Sequence, residues 1–193
     1  MSEEFDTFAD AQLVQRCLDG DEEAVRAFVG RNQGRVFGVC YRMLGHREDA
    51  EDVAQDVFLR VFRSLHRWDP GRPLNPWLMT ITVNRCRTVL QQRSRLPSPS
   101  EFIEMTADSP PNNADLAEEL QLGLDGLRED YRTCFVLFYQ QELSCVEIGR
   151  ILNCPEGTVK TWLHRARRDL AAFLRRRGVV NDVHAELQEL QRV

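Results

Sequence analysis

The chain of 193 residues has no run of eighteen uncharged apolar residues, which excludes an ordinary membrane-spanning helix. Its first residues, Met1 to Asp6, are acidic rather than basic and then apolar. We therefore expect no secretory signal, no membrane insertion and a cytoplasmic location. Lysine is nearly absent, since Lys160 is the only one among 25 basic residues. Codon bias explains this arginine preference as readily as bidentate contact with phosphate does.

The sequence also lacks the usual patterns of metal, disulfide and catalytic sites. Its six cysteines form no Cys-x-x-Cys pair, and its four histidines lie at no zinc-binding spacing near them. We expect free core cysteines, no disulfide, no metal and no cofactor. A P-loop, a nucleophile elbow and a paired-carboxylate pocket are absent as well, which disfavours an enzyme.

The formal net charge of −5 argues against a nucleic-acid partner only while it is averaged over the chain. Acidic residues concentrate in segments 1–30 and 48–56, whereas arginines concentrate in segments 85–95 and 156–177. Phosphate binding depends on local positive potential rather than on the average. The distribution thus fits an acidic surface for a protein and basic surfaces for DNA.

Apolar residues recur at helical spacing almost throughout, without strand alternation, which predicts an all-α protein. Segment 96–114 is rich in proline, serine and asparagine and predicts a flexible linker. The expected organisation is therefore two small helical domains, 1–95 and 115–177, followed by a short tail, 178–193.

Several helix ends are predicted in the first domain. Asp10 and Asp21 are expected to cap the first two helices, and Gly45 to end a third. A fifth helix is expected to start near Trp77, after the proline-rich loop 69–76.

The fourth helix carries the clearest apolar stripe and a charged face opposite to it. That face holds Asp49, Asp52, Asp56, Arg60 and Arg63. A solvated surface explains this pattern, and so does a docking face for a basic protein.

The loop 69–76 lies between Trp68 and Trp77 and precedes Asn84 and a run of arginines. Aromatic residues beside a cationic track are typical of single-stranded nucleic-acid sites. The alternative is that both tryptophans are core residues at a helix corner, which we prefer for Trp77.

The second domain contains the pattern of a helix-turn-helix. Ser144 and Glu147 form a capping box, Asn153 is expected to end the first helix, and Pro155 suits the first turn of the second. One stripe of the second helix is apolar, and its outward side presents Lys160, Thr161, Trp162, His164, Arg165, Arg167 and Arg168. Such a helix fits the major groove of DNA, although an ordinary helical corner with a solvated basic face has the same pattern.

Three motifs, in order along residues 10–177, resemble those of extracytoplasmic-function (group four) bacterial RNA polymerase sigma factors. Segment 49–59, DAEDVAQDVFL, is similar to that family's core-polymerase-binding helix. Segment 69–84 resembles its promoter-melting loop and the helix that follows. Segments 143–148 and 157–167 resemble its reader of the minus-thirty-five element.

The resemblance implies a non-catalytic subunit that directs RNA polymerase core to specific promoters, in response to a stress or envelope signal. The clamp helices of the largest polymerase subunit would bind Asp49, Asp52, Gln55 and Asp56. The minus-ten element would be captured and melted by Asp69, Arg72, Asn75, Asn84, Arg85 and Arg87, with the later arginines near the separating strands. The minus-thirty-five element would be read by Lys160, Thr161, Trp162, His164, Arg165 and Arg168.

Further partners follow from the same resemblance: the flap of the second-largest polymerase subunit, and an anti-sigma factor that covers both domains of a free monomer. Two positions depart from the family pattern, since the family often has arginine at Trp162 and aspartate at Thr88. The competing hypothesis is a conventional DNA-binding regulator, in which only the helix-turn-helix meets DNA and the N-terminal domain is an unrelated sensor.

Overall fold

The computed structural model describes residues 2–95 and 116–179, with side chains for 8–94 and 116–179. Within these residues there are eight α-helices, one short 3-10 turn at Leu65–Arg67, and no strand. The helices are α1 Ser2–Leu18, α2 Glu22–Leu44, α3 Arg47–Ser64, α4 Leu74–Arg95, α5 Leu116–Asp125, α6 Glu129–Tyr139, α7 Cys145–Leu152 and α8 Glu156–Arg176. The predicted all-α class is confirmed for this part of the chain.

Two sequence predictions fall mainly elsewhere. The predicted linker, 96–114, lies outside the described residues, as does the predicted tail from residue 180 onwards. None of the described helices is both long and apolar enough to cross a membrane.

Helix α2 is the centre of the N-terminal unit, because α1, α3 and α4 all pack against it. Asp21 caps it as predicted, since its Oδ1 accepts hydrogen bonds from the backbone amides of Glu23 at 2.9 Å and Ala24 at 3.1 Å. The helix ends at Gly45, whose φ of 78° is in the left-handed region that favours glycine. The apolar stripe of α3, which the sequence predicts, is buried against α2.

The predicted N-cap at Asp10 is wrong. Helix α1 begins at Ser2, so Asp10 lies inside it. The Asp10 carboxylate instead lies 3.0 Å from the guanidinium of Arg31 in α2. A capping residue and an interhelical partner look alike in sequence, because both are short acids next to an apolar stripe.

The predicted second and third helices are one continuous helix, which is a further correction. Gly30 and Gly34 lie in its middle, and each costs about 1 kcal/mol relative to alanine in a helix interior. Buried residues on both sides of them, such as Phe28 and Val36, keep the helix intact through tertiary packing.

Two helices begin one to three residues away from their predicted starts, and each of these starts involves a proline. Helix α4 starts at Leu74 rather than near Trp77, which places Pro76 in its first turn, where the missing amide costs no hydrogen bond. Pro155 is at the N-cap position of α8, one residue before the first turn in which it was predicted.

Helices α5 to α8 form the C-terminal unit, in which α8 packs on the other three. The predicted capping box is present at the start of α7: Ser144 Oγ accepts from the Glu147 amide at 3.3 Å, and Glu147 Oε2 accepts from the Ser144 amide at 2.8 Å. Asn153 ends α7 with a φ of 53°, as predicted. Helices α7 and α8 thus form a helix-turn-helix.

The two units pack against each other through α2, which contacts α5 and α6, and through α4, which contacts α7. Arg132 Nη1 donates to the carbonyl oxygen of Met43 at 2.9 Å, and Arg42 Nη1 donates to Gln121 Oε1 at 3.0 Å. The buried apolar residues of both units form one continuous cluster. The described residues therefore adopt a closed arrangement.

Candidate nucleic-acid and protein interfaces

The four residues predicted to bind polymerase share one face of α3. Asp52 and Gln55 are exposed, whereas Asp49 and Asp56 are half-buried. Asp52 has no basic side chain within ion-pair distance among the described residues. Its carboxylate is therefore available to a basic partner.

Asp49 and Asp56 differ from Asp52 because each is paired with an arginine of α4. Asp49 forms an ion pair with Arg93, and Asp56 forms one with Arg85. Asp56 also accepts a hydrogen bond from Arg60 Nε at 3.1 Å. Burial raises the pKa of Asp56, but the two arginines outweigh burial and hold that pKa below its ordinary value.

The predicted minus-ten loop is organised by its own first residue. Asp69 Oδ1 accepts a hydrogen bond from the Gly71 amide at 2.9 Å, and Asp69 Oδ2 lies 3.3 Å from Arg72 Nε. Both charged side chains are exposed. The loop thus presents a local turn with one cation at its surface.

Asn75 lies where the loop meets the C-terminal unit. Its Nδ2 donates to the carbonyl oxygen of Gln141 at 3.2 Å, at one side of a polar cleft of about 440 Å³ between the units. The flanking tryptophans both contribute to the core: Trp68 is buried and Trp77 is half-buried. The prediction that Trp77 is a core residue is therefore confirmed, and Trp68 is a core residue as well.

The predicted DNA-contacting residues of α4 point in different directions. Asn84 is exposed, but Arg85 is turned towards α3. Arg87 is turned towards α6, where its Nη2 donates to Asp130 Oδ1 at 2.9 Å and its Nε lies 3.2 Å from Glu129 Oε1. In the closed arrangement, Arg85 and Arg87 are therefore ion-paired with carboxylates of the protein itself, and only Asn84 of the three is not.

Most residues predicted to read the minus-thirty-five element form an exposed face on α8. Lys160 pairs with Glu156 at 2.6 Å, and Arg165 Nη1 donates to the Tyr131 hydroxyl at 2.9 Å. Thr161, His164 and Arg168 are exposed on the same helix. These contacts hold the cationic side chains in place without burying them.

Trp162 is the exception on this helix. The sequence placed it on the outward side, yet it is half-buried and packs against the core. Thr88, the other departure from the family pattern, is exposed, and its hydroxyl donates to the backbone carbonyl of Asn84 at 2.8 Å.

All six cysteines are free thiols. The sulfurs of Cys40 and Cys86 lie 3.8 Å apart in the core, and their contact together with burial raises the pKa of Cys40. Burial also raises the pKa of Cys134 to about 12. Across residues 8–94 and 116–179, no group of histidine, cysteine and carboxylate side chains has the arrangement of a metal site.

Sequence reasoning found neither the arginine partners of the acidic face nor the acids that hold Arg87. A signal for the first was present: Asp49 and Asp56 lie two helical turns apart, and so do Arg85 and Arg93. Glu129 and Asp130 gave no such signal, because acids in a first helical turn are ordinarily explained by the helix dipole.

Two family models match this chain. The Sigma-70 region 2 model matches residues 28–96, and the Sigma-70, region 4 model matches residues 117–170. The first match overturns the competing hypothesis of an unrelated sensory N-terminal domain, because that domain itself is of the sigma type.

The chain is 34% identical over 179 residues to ECF RNA polymerase sigma factor SigW of Bacillus subtilis, covering 84% of this chain and 95% of that protein. It is 33% identical over 166 residues to ECF RNA polymerase sigma factor SigE of Mycolicibacterium smegmatis, covering 80% of this chain and 64% of the relative.

A solved structure has the same fold: the sigma factor RpoE in complex with the anti-sigma factor NepR from Bartonella quintana. The TM-score is 0.67 at 24% identity, and the match covers 78% of this chain and 96% of that one. Both family regions and the curated relatives agree with this likeness. The chain belongs to the extracytoplasmic-function RNA polymerase sigma factors.

Proposed function

We propose that the exposed face of α3 binds core polymerase and that the 69–75 loop, α4 and α8 bind promoter DNA. As a member of its family, the chain is a non-catalytic specificity subunit that directs RNA polymerase to promoters. The residue assignments are the part that we propose.

The observation that carries the assignments is that exposed acids lie in the first half of α3, whereas exposed cations lie on α8. Asp52 and Gln55 are exposed on α3, whereas Lys160, His164 and Arg168 are exposed on α8. An acidic face is suited to a basic protein surface, and a cationic helix following a short turn is suited to phosphates and base edges. Both surfaces are needed in a subunit that joins polymerase to promoter.

Within this proposal, the clamp helices of the largest polymerase subunit bind α3 through Asp49, Asp52, Gln55 and Asp56. The flap of the second-largest subunit binds the C-terminal unit. The minus-ten element is bound by Asp69, Arg72, Asn75, Asn84, Arg85 and Arg87. The minus-thirty-five element is read by Lys160, Thr161, His164, Arg165 and Arg168. Trp162 serves mainly to pack α8 against its own unit, because it is half-buried there.

We further propose that the free chain is a cytoplasmic monomer controlled by an anti-sigma factor, as in the Bartonella quintana complex. The test is co-expression with the product of an adjacent gene. A stable complex that prevents core binding supports this control, and a product that leaves core binding unchanged contradicts it.

The central test is the affinity of Asp52→Arg for core polymerase. Asp52 is exposed and unpaired in the described chain, so the substitution leaves the fold intact. We expect core affinity to fall about tenfold or more, because a cation then faces a basic partner. Asp56→Arg is a poorer probe, since it also places a third cation beside Arg60 and Arg85.

The matched control is Glu23→Arg, which makes the same charge change at an exposed position of α2. It should leave core affinity within about twofold of the parent chain. Equal core affinity for the parent and Asp52→Arg would show that α3 is not the docking face. Reconstitution with core polymerase and mapping of transcript starts then identifies the promoters.

A further inference from the structure

Two ion pairs connect the acidic face of α3 to the basic face of α4. Asp49 pairs with Arg93, and Asp56 pairs with Arg85. The lower-numbered acid meets the higher-numbered arginine, so the two helices run antiparallel at this contact. The same carboxylates belong to the proposed polymerase-docking face, and the arginines belong to the helix proposed to meet DNA.

The side chains of both pairs are partly exposed, although the Nε atom of Arg85 is itself buried. The side chains of Arg85 and Asp56 are 22% and 29% exposed, and those of Arg93 and Asp49 are 35% and 42% exposed. Partly exposed pairs are screened by water and salt and contribute little net stability. A cation supplied from outside can therefore reach the Asp49 and Asp56 carboxylates and compete with the two arginines for them.

We propose that Asp49 and Asp56 act as internal counter-ions for Arg93 and Arg85, and that polymerase docking exchanges these pairs. When basic groups of polymerase take the two carboxylates, the two arginines become available to promoter phosphates. This inference rests on the proposed docking face, and it adds that polymerase and DNA binding are coupled through two specific pairs.

Thermodynamic linkage makes the coupling reciprocal. If polymerase raises the affinity of the chain for DNA by some factor, DNA raises the affinity for polymerase by the same factor. The free chain then binds DNA weakly for two reasons. Its net charge is −5, and Arg85 and Arg93 are already ion-paired with Asp56 and Asp49.

The chain supplies a matched pair of variants to separate these two reasons. Asp49→Asn and Asp52→Asn remove the same charge from the same helix face, but only Asp49 has an arginine partner. Fluorescence anisotropy with labelled oligodeoxythymidylate of about 20 nucleotides measures the affinity of each full-length variant across a salt series.

Freeing one arginine adds one phosphate contact, so the plot of log affinity against log salt steepens by about 0.7 for single-stranded DNA. Between about 200 and 50 mM salt, Asp49→Asn should therefore gain about 2.6-fold more affinity than Asp52→Asn. Adding Arg93→Gln to Asp49→Asn should abolish the difference. Equal slopes for Asp49→Asn and Asp52→Asn, or a slope that stays steep without Arg93, would overturn the proposal.

Asp56→Asn in an Arg60→Gln background gives a second test that does not depend on the folding of the first variant. Asp56 pairs with both Arg60 and Arg85, so this background leaves only Arg85 to be freed. It should also steepen the slope relative to Asp52→Asn in the same background. Circular dichroism melting confirms that each variant is folded before it is titrated.

The reciprocal arm uses core polymerase. Arg93→Gln removes the arginine that polymerase has to displace from Asp49. The affinity of this variant for core polymerase should therefore rise about two- to fivefold. Arg35→Gln, at an exposed arginine of α2, makes the same charge change and should have no such effect. Equal core affinities for the two variants count against the exchange.

The outcomes also separate this inference from the proposed function. If Asp52→Arg retains full core affinity, the docking face itself is wrong. If Asp52→Arg loses core affinity while Asp49→Asn and Asp52→Asn bind DNA alike, the docking face stands and only the exchange is wrong.

Discussion

Arg87 of α4 donates a hydrogen bond to Asp130 of α6 at 2.9 Å, and this contact joins the two units through a residue proposed to bind DNA. Asn75, another proposed DNA contact, donates to the backbone of Gln141 in the same interface. In the closed arrangement, part of the proposed minus-ten surface is therefore covered by the C-terminal unit. Promoter binding through these residues requires the units to separate.

The spacing of promoter elements leads to the same requirement. Positions minus ten and minus thirty-five are about 25 base pairs apart, or about 85 Å of B-form DNA. A compact body made of the described residues, 2–95 and 116–179, has a radius of gyration of about 15 Å and a diameter of about 39 Å. One closed molecule cannot reach both elements at once.

Removing the acids that hold Arg87 should favour the open arrangement. The side chains of Arg87 and Asp130 are each 23% exposed, so we expect Glu129→Gln with Asp130→Asn to shift the closed-to-open ratio by about fivefold. Small-angle X-ray scattering should then give a larger radius of gyration at low salt than for the parent chain. Glu118→Gln, at an exposed acid of α5, is the control. An unchanged radius in the double variant would show that other contacts hold the units together.

Replacing Gly149 in the helix-turn-helix should destabilise the fold. A Cβ at this position would lie 2.7 Å from the carbonyl oxygen of Cys154, which is backbone and cannot move aside cheaply. We expect Gly149→Ala to lower the free energy of unfolding by about 1–3 kcal/mol in urea denaturation. Gly157→Ala, in α8, meets no atom within 4 Å and should instead stabilise by about 0.5–1 kcal/mol. Similar effects at both glycines would contradict the close approach at the turn.

Lys160 and Arg165 should each contribute to recognition of the minus-thirty-five element. Lys160→Ala and Arg165→Ala remove exposed donors, so each should weaken promoter binding by the holoenzyme about tenfold. Electrophoretic mobility shift at fixed salt measures the effect. Arg175→Ala, in the last turn of α8, removes the same type of charge away from the proposed bases. If all three variants lose affinity equally, the effect is general electrostatics rather than recognition.

Glu119 should stabilise the C-terminal unit in a pH-dependent way. It is 1% exposed and accepts two hydrogen bonds from Arg177, at 2.9 Å and 2.6 Å. Glu119→Gln should lower the Tm by about 5 °C at neutral pH. Glu118→Gln, at the exposed neighbouring position, should leave the Tm nearly unchanged.

The pH dependence has a definite sign. The hydrogen bonds from Arg177 outweigh burial and lower the pKa of Glu119 from its ordinary value of 4.5. Its stabilisation is therefore complete above about pH 4.5 and is lost as the pH falls through the lower folded-state value. The difference in Tm between the parent and Glu119→Gln should shrink as the pH is lowered through that folded-state value. A difference independent of pH would point to packing instead of charge.

Features that depend on neighbouring residues could be predicted from the sequence. The capping box at Ser144 and Glu147, the left-handed end at Asn153 and the cap at Asp21 are all local, since their partners lie within a few residues. The apolar stripe of α3 was likewise readable from its spacing.

Features that depend on tertiary structure could not be predicted. Arg85 and Arg87 lie two residues apart in a basic segment, but only the packing of α4 shows that one meets Asp56 and the other Asp130. The continuity of α2 through Gly30 and Gly34 also required its neighbours, because the local preference of glycine is against a helix.

Helix α2 has a consequence for insertions and deletions. Its first half packs in the N-terminal unit, whereas Gly38 and Arg42 in its second half face the C-terminal unit. Each residue turns an α-helix by about 100°. One residue added near Gly34 would therefore rotate the second half away from α6 while leaving Phe28 in place. The angular phase of a single helix thus determines how the two halves of the molecule meet.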